Sequence, residues 1–433
     1  MIKVGLVSLG CAKNLIDSEM MLAMFPRDRF LLSNNPQESD LIIVNTCGFI
    51  ESAKEESIQT IFEMAGYGAK IVVVGCLAER YYDDLVKELP EASAIVKISN
   101  YDELPKVLEE LTGENGILPM NPLRRVVSTA PYCAYLRISE GCNNFCSFCA
   151  IPYIRGRFHS RPFEEILEEA RGLYQHGVKE ISLISQDTTN YGIDFPHQKP
   201  NIVDLLKEIE AIGFFSIRLL YLYPSEISNE LIHLIADSKQ IAHYFDIPVQ
   251  CASDHLLKAM RRHADANKTL ELFDKIREIC PDAILRTTLI SGFPGENEED
   301  QKETIEFLKC VRFDHMGCFT YSREEGTASY DYPDQIPEDL KEARKAELMK
   351  IQRKIAYEQA KKQVGKIYPG IVTGKGKNEA EYLFRCAWNA PDDIDGSVVF
   401  HSPVALKEGD LVKVKITSAF VYDLMGEFVS MCE

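Results

Sequence analysis

The chain has 433 residues, of which 45% are apolar and 26% charged, the composition of a soluble protein with two or three domains. Its formal charge of −18 disfavours nucleic-acid binding outside a local basic patch and favours a basic partner. The N-terminus lacks signal-peptide features and no apolar run reaches transmembrane length, so we expect a cytoplasmic protein without membrane contact. Thirteen cysteines in such a chain indicate ligation or catalysis rather than disulfides.

The first segment repeats one pattern three times. An apolar run ends at or beside a cysteine and a helical pattern follows, at Cys11, Cys47 and Cys76. Continuous apolar strands that alternate with helices predict a doubly wound parallel sheet, in which ligands bind at the carboxyl ends of the strands. We therefore expect these cysteines, the strand-end triad, to lie side by side near helix starts, where thiolates are stabilised and can bind metal.

A second series of strands and helices follows a linker at residues 113–133. The apolar runs predict six strands separated by helical patterns, at residues 134–139, 180–185, 217–222, 244–249, 284–290 and 315–321. Six parallel βα units predict a partial (β/α)6 barrel, with its site at the carboxyl ends of the strands.

The C-terminal part of the chain changes character twice. Residues 337–366 are charged and favour a connecting helix, whereas the remainder alternates Val and Ile with polar residues between turns. The latter pattern predicts a small antiparallel β-barrel of the kind that binds nucleic acid or protein loops. The predicted division of the chain is thus 1–125, 133–335, 336–365 for the connecting helix, and 366–433.

Three further cysteines share one short stretch, EGCNNFCSFCAIPY at residues 140–153. Cys142, Cys146 and Cys149, the loop triad, follow the first predicted strand of the barrel. Three thiolates can hold three irons of a 4Fe–4S cluster and leave the fourth iron open for a small molecule. A structural zinc site completed by His159 and a four-cysteine site completed by Cys133 remain as alternatives.

The C-x3-C-x2-C spacing of the loop triad, with Phe148 before its last cysteine, resembles the radical S-adenosylmethionine superfamily. The resemblance implies that the open iron binds the amino and carboxyl groups of S-adenosylmethionine. It further implies that reductive cleavage of this cofactor gives a 5′-deoxyadenosyl radical, which takes hydrogen from an unactivated carbon.

With its second cysteine triad, the chain resembles the methylthiotransferase family, and this resemblance covers almost the whole sequence. It rests on SLGCAKNLIDSE at residues 8–19, NTCGFIESAKEES at 45–57 and RGRFHSRP at 155–162. It implies a 4Fe–4S cluster on each triad, S-adenosylmethionine as methyl donor and radical source, and a TRAM-like tail barrel. These stretches resemble the branch that modifies the β-carbon of an aspartate in small-subunit ribosomal protein S-twelve. We expect an electron donor such as flavodoxin or ferredoxin as a further partner.

Contacts to S-adenosylmethionine are predicted at four positions. The resemblance implies cofactor binding by Phe148, by Gln186 and Asp187 at the end of the second barrel strand, and by Gly292, whose backbone would approach the cofactor. Ordinary strand-end turns explain the last three positions equally well. Cys251 stands where the family pattern leads us to expect histidine, so its role stays open.

Two alternatives concern the function itself. A sister family modifies an adenosine of tRNA, but residues 366–433 hold seven basic and ten acidic residues, whereas RNA phosphates require clustered cations. We therefore expect the tail to dock the basic ribosomal protein, and its deletion to spare cleavage of S-adenosylmethionine. A non-enzymatic iron–sulfur electron carrier or zinc-binding adaptor would explain the cysteines but not the six βα units.

Overall fold

A computed structural model describes residues 1–432. The N-terminal elements form a five-stranded, fully parallel sheet in the order β2-β1-β3-β4-β5, with helices on both faces. The elements, in chain order, are β1 Ile2–Ser8, α1 Ala12–Leu22, β2 Phe30–Leu32, β3 Leu41–Thr46, α2 Glu51–Ala65, β4 Lys70–Gly75, α3 Cys76–Arg80, α4 Tyr82–Glu88, β5 Ala94–Ile95 and α5 Leu104–Thr112.

The apolar strands of this sheet explain why it is covered on both sides. Along β3, Ile43 points into one hydrophobic cluster while Ile42 and Val44 point into another. Along β4, Val72 and Ile71 divide in the same way, because successive side chains of a strand alternate between its faces. This arrangement confirms the predicted doubly wound parallel sheet.

The middle of the chain forms six parallel strands in two groups of three, β6-β9-β10 and β11-β12-β13, which we call the half-barrel. A bridge between Ile217 and Ile241 joins the two groups. The elements are β6 Cys133–Arg137, β7 Ser139–Glu140, α6 Ile151–Ile154, β8 His159–Ser160, α7 Phe163–Gln175, β9 Glu180–Ile184, α8 Ile202–Ile212, β10 Ser216–Leu219, α9 Asn229–Asp237, β11 Tyr244–Asp246, α10 Asp254–Ala259, α11 Ala266–Ile279, β12 Ile284–Ser291, α12 Glu298–Val311 and β13 His315–Thr320. The predicted six βα units are confirmed.

A long helix, α13 Glu338–Lys361, leads to a closed five-stranded barrel, which we call the tail barrel. Its strands are β14 Ile367–Lys375, β15 Glu381–Arg385, β16 Val398–His401, β17 Leu411–Ala419 and β18 Leu424–Met431. Four of its pairings are antiparallel, as predicted, and β16 with β18 is parallel.

The tail barrel inserts one loop, residues 386–396, into the half-barrel. Trp388 in this loop is 1% exposed, and its carbonyl oxygen lies 2.7 Å from Nε2 of His315, the first residue of β13. The fully buried Arg218 donates hydrogen bonds of 2.8 and 3.0 Å to two carbonyl groups of the same loop. Tyr244, the first residue of β11, donates a hydrogen bond of 2.6 Å to Asp395. The loop therefore closes the end of the half-barrel at which these strands begin.

This packing does not support the expectation that the tail can be removed without consequence for the half-barrel. Deletion of residues 366–433 would expose the interior of the half-barrel and leave Arg218 without its partners. Among residues 1–432, no helix is both long enough and apolar enough to cross a membrane.

Candidate active site at two cysteine triads

The strand-end triad is assembled by three neighbouring strands. Cys11 follows β1, Cys47 follows β3 and Cys76 follows β4, and these strands lie next to one another in parallel, so their carboxyl ends bring the cysteines together. The backbone next to Cys11 lies close to Cys47, because a Cβ atom added at Gly10 would lie 2.9 Å from Cβ of Cys47. Gly75 has a φ of +95°, and its missing side chain leaves room for Asn45 and Thr46.

The loop triad is built locally between β7 and α6. Gly141 has a φ of +74°, and a side chain there would collide with the carbonyl groups of Gly156 and Arg157, which return past the loop. The N–H group of Cys149 donates a 3.0 Å hydrogen bond to the carbonyl oxygen of Cys146, which tightens the turn. The loop therefore positions its three thiols through its own backbone.

The spacing of the sulfurs tests which metal group suits the two triads. Tetrahedral zinc with Zn–S bonds of about 2.3 Å would hold its thiolates about 3.8 Å apart. Among residues 1–432, neither triad has all three sulfurs within 4.8 Å of one another. A 4Fe–4S cluster, in which each thiolate binds a different iron, requires wider spacing. Neither triad is therefore arranged for a single zinc ion, and three separate thiolates are the ligand set that a four-iron cluster with one open iron uses.

The two alternative metal sites considered for the loop triad each need a fourth ligand, His159 or Cys133. His159 is exposed, and its Nδ1 lies 3.4 Å from the carbonyl oxygen of Arg157 rather than among the thiols. Cys133 is the first residue of β6, whereas the loop triad follows the other end of that strand. At about 3.3 Å per residue, these positions are far apart. Within residues 1–432, neither His159 nor Cys133 lies among the thiols of the loop triad.

The thiols differ in how readily they ionise. Burial raises the pKa of Cys76 to about 11, and the neighbouring Cys47 and Cys11 add to this effect. Burial likewise raises the pKa of Cys142 to about 11 and of Cys149 to about 12. These thiols are therefore protonated at neutral pH until metal displaces the proton.

Cys11 is the exception among the ligands with a shifted pKa. Desolvation opposes ionisation of this thiol, but the positive charges of Lys13 and Arg155 and the N–H groups of Asn14 and Lys13 outweigh it and lower the pKa. Cys11 is also the most exposed member of its triad. It is therefore the thiol in the strand-end triad that ionises first.

Arg155 connects the two triads. It lies six residues after Cys149, and its guanidinium donates a 2.7 Å hydrogen bond to Asp17 in α1 and another to the side chain of Asn14. The same group lies 3.8 Å from the sulfur of Cys76. Asp17 also pairs with Arg137 at 2.6 Å, so buried ion pairs connect the sheet to the half-barrel, and loss of either partner would leave a buried charge uncompensated.

Apolar contacts support the same junction. Cys76 is buried in one cluster with Ala150 and Ile154, the residues that follow the loop triad. On the other side, Glu324 is 1% exposed and accepts hydrogen bonds or ion pairs from Arg80 at 2.7 Å and Lys54 at 3.3 Å. The carboxyl ends of the five-stranded sheet and of the half-barrel therefore face each other across the two triads.

The predicted residues at the end of β9 are connected to the loop triad. Asp187 accepts hydrogen bonds from Asn144 at 2.8 Å, Asn190 at 2.7 Å and Thr189 at 2.9 Å. Asn144 also lies 3.4 Å from the sulfur of Cys142. The carboxylate of Asp187 thus stabilises, through hydrogen bonds, the loop that carries the loop triad.

Gln186 has one free polar atom. Its Nε2 donates a 2.6 Å hydrogen bond to Glu140, whereas its Oε1 is buried without a hydrogen-bond partner in the described part of the chain. A buried acceptor without a partner is energetically costly, so a bound donor would stabilise it. The amino group of S-adenosylmethionine is a donor of the required kind.

The two remaining predicted positions have protein neighbours. Phe148 packs against the buried cluster that contains Cys251 and Phe293, so Cys251 is a core residue. Gly292 has a φ of +77°, and the space of its missing side chain is filled by Lys341 from α13. The glycine is required there, and the group that approaches it in this structure is a lysine side chain.

Several residues of this site were not assigned from the sequence. Asn14, Asp17 and Arg155 belong to stretches that carry the family resemblance, yet only the fold shows that they meet. Their sequence signal is the position of polar side chains three to six residues from a ligand cysteine. That signal identifies candidates but cannot pair them.

Three sequence profiles match the chain. They are the radical SAM superfamily over residues 136–308, the uncharacterized protein family UPF0004 over residues 3–97, and the TRAM domain over residues 364–429. Among solved structures, the radical S-adenosylmethionine methyltransferase TsrM from Kitasatospora setae, with cobalamin and a [4Fe-4S] cluster bound, aligns with a TM-score of 0.56 at 15% identity. The alignment covers 76% of this chain and 77% of that one, and it shows a shared fold.

Curated relatives extend over nearly the full chain. The ribosomal protein uS12 methylthiotransferase RimO of Acetivibrio thermocellus is 46% identical over 99% of this chain and 98% of its own length. The protein of the same name from Aquifex aeolicus is 46% identical over 98% of this chain and 96% of its own length. The chain therefore belongs to the RimO family of methylthiotransferases, within the radical SAM superfamily.

Proposed function

We propose that the chain places a methylthio group on the β-carbon of an aspartate in ribosomal protein uS12. The observation that carries the proposal is the pair of three-cysteine sites that face each other, joined by Arg155. One site alone would suit a radical enzyme of many kinds. Two sites, each suited to a cluster with an open iron, fit an enzyme that both makes a radical and supplies sulfur. Relatives that cover nearly the whole chain are named for this activity.

We assign the auxiliary 4Fe–4S cluster to the strand-end triad and the radical 4Fe–4S cluster to the loop triad. One molecule of S-adenosylmethionine would supply the methyl group for the sulfur. A second molecule would supply the radical that abstracts a hydrogen atom from the substrate. Gln186 offers its free carbonyl oxygen to the cofactor, and Asp187 orders the loop through Asn144. Asp17 and Arg155 keep the two sites at a fixed separation.

The partners follow from charge. The chain carries a formal charge of −18, and the tail has more acidic than basic residues, which favours a basic ribosomal protein over RNA. We propose that the tail, residues 366–433, contributes to docking, that an electron donor such as flavodoxin or ferredoxin reduces the radical cluster, and that the enzyme works in the cytoplasm.

The test is a reaction with purified components. Anaerobically reconstituted enzyme is incubated with S-adenosylmethionine, dithionite, sulfide and recombinant uS12, and the protein is analysed by mass spectrometry. We expect one methylthio group on one aspartate, together with 5′-deoxyadenosine. Purified tRNA in place of uS12 provides the matched control and should stay unmodified. Modification of a tRNA adenosine without modification of uS12 would contradict the substrate assignment.

A further inference from the structure

One buried lysine at this site has no carboxylate or hydrogen-bond partner among the described residues. Five lysines and arginines are buried within residues 1–432. Four of them pair with carboxylates or donate to carbonyl groups, namely Arg155, Arg161, Arg218 and Lys341. Lys13 is 8% exposed, has no carboxylate within 4.0 Å and makes no side-chain hydrogen bond with the described residues. Its ammonium group instead stands 3.7 Å over the centre of the Tyr221 ring.

A series of contacts links Lys13 to both triads. It is two residues after Cys11, in the first turn of α1. Tyr221 follows β10, and its carbonyl oxygen accepts a 3.1 Å hydrogen bond from the N–H group of Thr188. Thr188 follows Asp187, which holds the loop triad through Asn144. The contacts therefore lead from one triad through Lys13 and Tyr221 to the other.

The geometry of Tyr221 is unusual for its residue type. Its φ is +63°, a conformation that costs a non-glycine residue of order 1 kcal/mol or more. The N–H group of Tyr221 donates a 2.9 Å hydrogen bond to Asp246, which fixes the backbone in this conformation. The strained turn brings the tyrosine ring under the ammonium group of Lys13.

The nearby carboxylates are already engaged. Asp246 pairs with Arg286 at 2.9 Å, Asp17 pairs with Arg137 and Arg155, and Asp187 accepts three hydrogen bonds. A buried ammonium group without an anion is costly, and a tyrosine ring offsets only part of this cost. No carboxylate of the described residues pairs with Lys13, and the Cys11 thiolate that its charge favours is assigned to the auxiliary cluster. A bound carboxylate would therefore complete the site.

We propose that Lys13 binds the side-chain carboxylate of the substrate aspartate and so places its β-carbon between the two triads. This inference rests on the proposed function, because it names the residue that recognises the acidic side chain at that site. The β-carbon is bonded directly to the carboxyl carbon, so a fixed carboxylate also fixes the position of the β-carbon. Lys13 is thus a substrate-binding residue that selects aspartate over asparagine.

Charge compensation of the auxiliary cluster is the competing role for Lys13. A lysine that served only the cluster would affect every substrate equally, whereas a lysine that binds the carboxylate would affect only substrates that carry it. The comparison of aspartate with asparagine at the modified position therefore separates the two roles.

The experiment measures binding of recombinant uS12 to the reconstituted enzyme by isothermal titration calorimetry. The ligand is uS12 with the modified aspartate intact or replaced by asparagine, and the enzyme is wild type, Lys13→Met or Lys13→Gln. Loss of one partner of a desolvated ion pair weakens binding by at least about 30-fold. We expect wild type to prefer the aspartate form by about this factor and both variants to bind the two forms within about threefold.

Two controls keep the outcome interpretable. Lys361→Met removes an exposed lysine that stands 4.3 Å over the Tyr357 ring on α13, and it should keep the full preference. Iron content is measured for every protein, so that loss of a cluster is recognised. Lys13→Arg keeps the charge and should retain most of the preference.

Three results would overturn the inference. Lys13→Met and Lys13→Gln could keep the preference for aspartate, or they could weaken both forms of uS12 equally, which would assign Lys13 to the cluster or the fold. In these two cases the proposed function stands, because wild type still modifies uS12. If wild type neither binds nor modifies uS12, the proposed function and the inference both fail.

Discussion

The two cysteine triads reach similar chemistry by different routes. The loop triad comes from one short stretch of chain between β7 and α6, whereas the strand-end triad comes from the ends of three strands, β1, β3 and β4. The first can form as soon as its own loop folds, because few residues must be ordered to bring its thiols together. The second requires the complete parallel sheet. The loop triad therefore depends on local backbone geometry, and the strand-end triad depends on the fold of the whole sheet.

The largest effect is expected when one cysteine ligand is removed from each triad. Reconstituted wild-type enzyme should hold about eight irons, and either Cys47→Ala or Cys146→Ala should hold about four. Both variants should lose methylthio transfer completely. Only Cys146→Ala should also lose 5′-deoxyadenosine, which is measured by liquid chromatography after reduction with dithionite.

Cys310→Ala is a suitable control because Cys310 is exposed and distant from both triads in sequence. It should keep the iron content and both products. An iron content near four in wild type that Cys47→Ala leaves unchanged would contradict the assignment of a second cluster.

Arg155→Met should weaken the junction between the two triads and lower the unfolding free energy. Asp17 is buried, and loss of one partner from a buried ion pair costs about 3 kcal/mol of unfolding free energy. Chemical denaturation of the reconstituted protein would measure this loss. Arg157→Met, which removes an exposed arginine over the Phe145 ring, should cost about 0.5 kcal/mol. Equal effects of the two substitutions would show that Arg155 is not a structural connection.

Two glycines test whether the triads can be disturbed independently. Gly75→Ala and Gly141→Ala each force a side chain into a left-handed backbone position that is crowded by neighbouring atoms, at a cost of about 2 kcal/mol each. Gly75→Ala should reduce loading of the auxiliary cluster and spare 5′-deoxyadenosine, and Gly141→Ala should reduce both. Iron analysis and product analysis distinguish these outcomes.

Gly172→Ala provides the control for the glycine pair. Gly172 lies inside α7 and has no neighbouring atom within 4 Å of an added Cβ, so alanine should stabilise the helix by about 1 kcal/mol. A loss of iron in this variant would show that iron content reports general instability rather than a particular site.

The smallest expected effect is a difference between two cysteines in their rate of alkylation. In cluster-free protein at neutral pH, iodoacetamide should alkylate Cys11 about tenfold faster than Cys76, because the pKa of Cys11 is lowered and that of Cys76 is raised. Peptide mass spectrometry at successive times measures the order. Faster reaction at Cys76 would contradict the effect that we attribute to Lys13 and Arg155.

The same pKa shifts give a pH dependence with a definite sign. The raised pKa values of Cys76, Cys142 and Cys149 favour the cluster-free fold below about pH 8.5, where unfolded thiols are also protonated. This contribution is lost as the pH rises towards 11 to 12, so the unfolding free energy should fall. Cluster loading should respond in the opposite direction, because iron binds the thiolate.

Sequence reasoning identified the fold class and both triads because each has a strong local signal. Apolar strands marked the parallel sheets, and the spacing of Cys142, Cys146 and Cys149 marked the loop triad. Phe148, Gln186, Asp187 and Gly292 were predicted to bind the cofactor, and that role stays a prediction. The structure adds neighbours that spacing could not reveal, such as Lys341 at Gly292.

The connections between distant segments could not be predicted from one sequence. Arg155 and Asp17 are separated by more than a hundred residues, and only the fold brings them to 2.7 Å. The insertion of Trp388 into the half-barrel was missed for the same reason. Trp388 is the only tryptophan of the sequence, but its loop reads as a polar turn, so nothing in the sequence places it in the half-barrel.

The buried loop at residues 386–396 has a consequence for synthesis of the protein. Ribosomes release the N-terminal part of a chain first, and domains generally fold as they emerge. The half-barrel, however, receives Trp388 and the partners of Arg218 only when most of the tail has been translated. Its interior therefore stays open to water until translation is nearly complete, and chaperones that bind nascent chains have a long interval in which to act on it.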